Sequence, residues 1–329
     1  MRARPRGRQR GRIGGLWLGA AALVMATAAV AVSVPAAVAR TVASPGPAFA
    51  CRDTLVHTGG RSFRLTSVLG ATRVSYQATL ARGTGLPMAS GGTLVVANGA
   101  RQLTLRGLSF ANGGGILAST SGDQLCALRF GHEAYPEVLL QPYTGGAHCC
   151  FLPTLYTYSA RARGYRLSAR ATLTESNALA GRMPPYNPNG GLAPELVGGH
   201  LVLLSSDGRF PYTFACFACS AAPILLLGDL EGRFVNVTRL YPTAVAADAR
   251  TLWSAITGDL RTHTEVLGVV PAWVADECTL GRAAPALIAV ARLERAGDFS
   301  AKLGPGFDGT GAAYVRNLRR FLSQTGYCR

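Results

Sequence analysis

Eight cysteines limit what this chain can fold into: Cys51, Cys126, Cys149, Cys150, Cys216, Cys219, Cys278 and Cys328. Whether they crosslink depends on compartment, and the N-terminus bears on that. Arg2, Arg4, Arg6, Arg8, Arg10 and Arg12 precede an uncharged stretch from Ile13 to Ala39, which closes with Pro35 and Ala37-Val38-Ala39. A basic head, an apolar run and a small-x-small end are the pattern of a cleaved export signal. The run is also long enough to serve as an uncleaved anchor. A second small-x-small site, Ala48-Phe49-Ala50, would leave Cys51 at the new N-terminus. No later stretch is long and apolar enough to span a bilayer, so the expectation is a secreted, extracellular protein, either free or associated with the cell surface. Thiols do not persist unpaired in an oxidising compartment, so the even count predicts disulfides.

Some 290 residues follow Ala39 and make one large domain or two unequal ones. Residues 40–50 read as a spacer, 51–242 as a β-rich domain and 243–329 as a helical region. In the β-rich part Val74, Tyr76, Ala78 and Leu80 alternate with polar residues, and short apolar runs recur at Pro136–Leu140, Leu155–Tyr158, Leu201–Leu204 and Ile224–Leu227. Asn98-Gly99 is a hairpin signal, and Gly or Asn clusters separate the other runs. After Tyr241-Pro242 the period changes: Val245, Ala249, Leu252 and Ile256 share one helical face. Further helices are predicted near 268–279, 284–296 and 311–324. The fold class expected is mainly β, from short antiparallel strands in an incomplete propeller-like arrangement, with a C-terminal helical part, α+β in total.

Two disulfides follow from this layout. Antiparallel helices bring Cys278, at the end of one predicted helix, to Cys328, just after the last. Cys51 and Cys126 are then natural partners in the β-rich part, and Cys149, Cys150, Cys216 and Cys219 pair among themselves in an open order.

Charge is strongly unbalanced, with 33 basic against 17 acidic side chains and a net +16. All but Lys302 of the basic residues are Arg, in a chain rich in Ala and Gly, as a GC-rich genome produces. The excess is local. Arg61, Arg64, Arg73, Arg82, Arg101 and Arg106 lie between Asp53 and Asp123 with no carboxylate among them. They mark a polyanion-binding surface, with anionic envelope polymers as the partner class, or else a merely solvated face. No RNP, helix-turn-helix or zinc-finger pattern accompanies them, so nucleic acid is not expected.

Tyr143-Thr-Gly-Gly-Ala-His-Cys-Cys150 is the most distinctive segment. Three chemistries compete for it: a thiolate nucleophile beside His148, a zinc site joining His148, Cys149 and Cys150 to Cys216 and Cys219, or oxidised cysteines stapling loops. Adjacent cysteines are unlike the usual C-x2-C pairs, and neighbours on a strand point to opposite faces, so the disulfide reading is preferred. Cys216-Phe-Ala-Cys219 has redox spacing but sits in strand and turn context, and is also read as structural. The histidines show no metal-ligand spacing, and Gly304-Pro-Gly-Phe-Asp-Gly309 lacks the preceding strand a dinucleotide fold needs. Carboxylate pairs such as Glu133 with Glu137, or Asp276 with Glu277, are a glycosidase signal only if space brings them together. No catalytic residue, metal ligand or cofactor is therefore assigned.

Pro136-Glu-Val138 leading to Gly145-Gly-Ala-His-Cys-Cys150, Ser206-Asp-Gly-Arg-Phe210, Ser220-Ala-Ala-Pro-Ile224, Gly232-Arg-Phe234 and Val237-Thr-Arg239 together resemble a family of secreted, mostly actinobacterial proteins with a GGAHCC loop, which looks distantly like the FG-GAP and VCBS-type β-propeller repeats. The resemblance implies a β fold and an exported location, and no reaction. Propeller relatives often carry an Asp-x-Asp-x-Asp-Gly calcium loop before the Pro-Glu-Val strand. Gly131-His-Glu-Ala-Tyr135 stands there instead, and a lone Glu133 cannot supply the oxygen ligands calcium takes. Two functions remain: a disulfide-stabilised, non-catalytic binding or structural protein of the cell envelope, and a secreted hydrolase whose active site the sequence does not display. A shallow Arg-lined surface with every cysteine oxidised favours the first, and a surface cluster of perturbed carboxylates or a Cys/His pair in a deep pocket the second.

Overall fold

The alternation and apolar runs of the first 240 residues become three antiparallel sheets in the computed structural model, which describes residues 47–52, 56–59, 62–80, 89–108, 125–130, 135–141, 153–172, 191–230, 233–300 and 309–328. β1 (Phe49–Arg52) sits at the edge of a sheet ordered β1-β7-β8-β9-β10. Its other strands are β7 (Leu125–Leu128), β8 (Glu137–Leu140), β9 (Thr154–Ser159) and β10 (Gly164–Thr172). Strand pairing thus begins at Phe49, inside the stretch read as a spacer. A second sheet is a simple meander of β2 (Val56–Gly59), β3 (Ser62–Leu69), β4 (Thr72–Leu80), β5 (Ala89–Asn98) and β6 (Arg101–Arg106). The third is a meander of β11 (Ala193–Val197), β12 (His200–Ser206), β13 (Ile224–Leu230) and β14 (Arg233–Asn236). None of the three closes on itself among the described residues, and the fold is β-dominated α+β.

Side-chain parity stacks these sheets. In β4 every second residue, Val74, Tyr76 and Ala78, is buried, and these meet Leu125, Ala127, Val138 and Leu140 of the β1–β10 sheet. That sheet is covered on both faces. Its alternate residues Cys126, Leu128, Leu139 and Leu155 pack instead against Leu203, Leu225 and Leu227 of the third sheet. Two-sided burial is why β7, and β8 after Glu137, are apolar without a break while β4 alternates. Val202 and Leu226, on the far face of the third sheet, meet Val237 and the start of the helical part at Tyr241 and Ala244.

The helices are α1 (Pro242–Arg261), α2 (Val270–Thr279), α3 (Ala283–Ala296) and α4 (Gly311–Gln324). Proline opens α1, where its missing N–H has no intrahelical partner in any case. Gly297 ends α3 in the left-handed conformation, at φ 86°. Val245, Ala249, Leu252 and Ile256 of α1, Tyr314, Leu318 and Leu322 of α4, and nearly the whole of α2 form one core with Phe210 and Phe214. No described helix is long and apolar enough to cross a membrane.

Three disulfides join described residues. Cys51 and Cys126 are directly opposed on β1 and β7. Cys216 and Cys219 bracket a single 3-10 turn, Phe217–Cys219. Cys278 at the end of α2 joins Cys328 after α4, with Cα atoms 5.2 Å apart. Cys149, Cys150 and His148 lie outside the described residues, so the nature of that loop stays as the sequence left it.

A candidate polyanion-binding face on the second sheet

The inward parity of β4 dictates what its outer face shows. Strand register places three cross-strand rows there. Arg64, Gln77, Thr93 and Arg106 form the first, Thr66, Ser75, Val95 and Thr104 the second, and Val68, Arg73, Ala97 and Gln102 the third. Arg64, Arg73, Gln77, Gln102, Thr104 and Arg106 are exposed, while the small residues between them are half-buried. No carboxylate occurs in any of these five strands. The Arg64 guanidinium donates to Gln77 Oε1 at 2.8 Å, and Gln102 Nε2 to Thr104 Oγ1 at 3.5 Å.

Sheet geometry sets the scale. Strands lie about 4.8 Å apart and same-face neighbours about 6.8 Å apart, which puts the α-carbons of Arg64, Arg73 and Arg106 at the corners of a triangle with sides of roughly 14–17 Å. That exceeds the screening length of about 8 Å at physiological ionic strength, so guanidiniums extended straight out from these positions repel one another weakly. An extended polymer with repeated negative charges can meet all three as they stand, whereas a single small ion must draw the side chains together. The hydroxyls and amides between the corners supply hydrogen bonds along its path.

The six arginines singled out from the sequence do not all belong to this face. Arg64, Arg73 and Arg106 do. Arg101 has the parity of the inward-facing Leu103 and Leu105 and bonds to Tyr135, which holds its guanidinium pKa above the ordinary value. Arg61 and Arg82 lie outside the described residues. Gln77, Thr93, Ser75 and Thr104 were missed, although the outward positions of β4 follow from the alternation at Val74, Tyr76 and Ala78. Below the face Tyr76 is fully buried, and burial drives its hydroxyl pKa well up; that of Tyr156 is pushed up to about 12. Both stay neutral and add no negative charge.

Among the described residues the buried carboxyls are Glu137 in β8 and two that sit in clusters near the helices. Asp207, 1% exposed, accepts from Arg209 Nε at 2.9 Å and from the Tyr327 hydroxyl at 2.9 Å. The Arg209 guanidinium lies 5.8 Å from the Tyr327 ring centre. Burial works against the Arg209 charge, but Asp207 more than offsets it and the pKa is raised. Asp276 is also 1% exposed, and neither carboxyl oxygen finds a donor. Burial first, and then Asp248 beside it, push its pKa up to about 10. The two facts fit a protonated Asp276 that is itself the donor, to the Asp248 carboxylate, which also accepts from the Ile224 N–H at 3.1 Å. No group of three or more potential metal ligands occurs among the described residues.

No family model matches this chain, no curated protein does, and no solved structure does, so its fold and surface carry the functional reading unaided.

Proposed function

We propose that this is an exported, disulfide-stapled, non-catalytic binding protein that attaches to an anionic polymer of the cell envelope through the outer face of β2–β6. The observation that carries the reading is the triangle of exposed Arg64, Arg73 and Arg106 on a sheet without a single carboxylate. Paired cysteines support an oxidising location. The N-terminal basic and apolar pattern and the GGAHCC resemblance support export, and the meander order β11-β12-β13-β14 suits the propeller likeness of that family. Among the described residues the one strongly perturbed carboxyl, Asp276, has both oxygens out of reach of solvent, which favours binding over hydrolysis.

The test is retention on an immobilised polyanion, heparin or a teichoic-acid matrix, as a function of salt. The wild-type protein elutes late, and the triple variant Arg64→Glu, Arg73→Glu, Arg106→Glu elutes early with unchanged thermal stability. Equal elution of the two would remove the electrostatic reading.

A further inference from the structure

The C-terminal turn closes a cleft of about 350 Å³ against the third sheet, a volume at the lower end of small-molecule sites. Its walls are apolar where β14 and the following turn contribute Val235 and Val237, and where Ile224 forms the start of β13. Leu240 lies on its rim, 70% exposed. Among the described residues no carboxylate lines it, and the two charged ones that do are Arg209 and Arg239.

The polar groups in the cleft are unequal in what they still offer. Thr238 donates its hydroxyl to Asn236 Oδ1. The hydroxyl of Thr279 goes to the Ala275 carbonyl and that of Thr325 to the Phe321 carbonyl. All three hydroxyl hydrogens are thus already used. Arg209 differs: a guanidinium has five N–H groups. Its Nε and one hydrogen on Nη2 go to Asp207, and one on Nη1 goes to the Thr325 carbonyl at 3.2 Å. One hydrogen on each terminal nitrogen remains, to be shared between the Tyr327 hydroxyl, its other side-chain partner, and a ligand. Asp207 and the Tyr327 ring fix the plane of this group, so its free donor is preorganised. Asp207 also cancels its charge, which leaves the exposed Arg239 as the net positive charge at the mouth.

We infer that this cleft is a second binding site, distinct from the sheet face, and takes a small organic carboxylate with an aliphatic body. The carboxylate accepts the spare Arg209 donor under the field of Arg239. Its apolar body covers Ile224, Val235, Val237 and Leu240. A cation has no acceptor of opposite charge in the lining, and a neutral alcohol gains the apolar contact without the charge-assisted bonds.

Calorimetric titration of the intact protein with octanoate, octanol and octylammonium tests this. Octanoate binds saturably at one site, octanol at least about tenfold more weakly, as the loss of one charge-assisted bond implies, and octylammonium not at all. Arg209 itself is a poor probe, since its removal strands a buried Asp207. Arg239→Gln and Leu240→Asp change exposed rim positions and leave the melting temperature unchanged. The first weakens octanoate severalfold while sparing octanol; the second abolishes octanoate binding. The Arg64, Arg73 and Arg106 triple variant binds octanoate as the wild type does. Absence of saturable octanoate binding, equal binding of octanol, indifference to both rim variants, or loss of binding in the triple variant would each overturn the site.

Discussion

A β-carbon on Gly268 would lie 2.1 Å from the carbonyl oxygen of Cys219 and 2.7 Å from the Ala215 β-carbon. Gly268 is not in the left-handed region, so space rather than backbone conformation demands glycine. Its carbonyl also accepts from the Ala221 N–H at 3.0 Å, so the loop before α2 and the Cys216–Cys219 turn are held in contact. Gly268→Ala must separate them. The expected loss, by analogy with overpacked cores, is about 1–3 kcal/mol, read as a lower urea midpoint at unchanged slope.

Asp276 makes stability depend on pH in an unusual sense. Its carboxyl titrates near 3.8 in the unfolded chain and is pushed up to about 10 in the fold. The unfolded state therefore releases its proton first. The contribution of this group is fully present below about pH 4, declines as pH rises, and is gone once pH passes 10. Asp276→Asn retains a donor for Asp248 and removes the titration. Melting temperatures from pH 4 to 9 should show the variant gaining steadily on the wild type as pH rises; a constant difference would contradict the buried, protonated carboxyl.

The disulfides should differ in weight. Cys278–Cys328 spans 50 residues, for which loop entropy gives about 4 kcal/mol; Cys216–Cys219 spans 3 and gives about 2 kcal/mol. Paired Cys→Ser replacement at 278 and 328 should lower the unfolding midpoint by clearly more than at 216 and 219. The reverse order would mean that the C-terminal helices are held by packing alone.

Arg101 separates patch from composition. Arg101→Glu changes net charge as much as Arg106→Glu does, yet it faces Tyr135 rather than the row of Arg64 and Gln77. Elution from a polyanion matrix should shift strongly for Arg106→Glu and only weakly for Arg101→Glu. Equal shifts would show that bulk charge governs binding.

Much of the fold was readable because burial leaves a period. Val74, Tyr76 and Ala78 alternate as one covered face requires, and Val245, Ala249, Leu252 and Ile256 recur as a helix face. The runs at Leu125–Leu128 and Glu137–Leu140 carry no such period, since both of their faces are covered, and only the stacking of three sheets explains them. The polyanion face was half legible: the acid-free interval was visible, but which arginines share a surface depends on strand register. The Arg209 cleft was invisible, because it assembles Arg209, Thr238, Thr279 and Tyr327 from four separate segments. Asp276 did leave a trace, as a charged residue inside a helix that is otherwise buried all round.

The order of layers has a geometric consequence. The β2–β6 sheet shares a core with the β1–β10 sheet, that sheet with β11–β14, and β11–β14 with the helices. The arginine face and the C-terminal cleft therefore belong to opposite ends of a stack. Were the molecule moored by its arginines, two whole sheets, β1–β10 and β11–β14, would stand between the polymer and the helices, so that what meets the first layer is held apart from what meets the last.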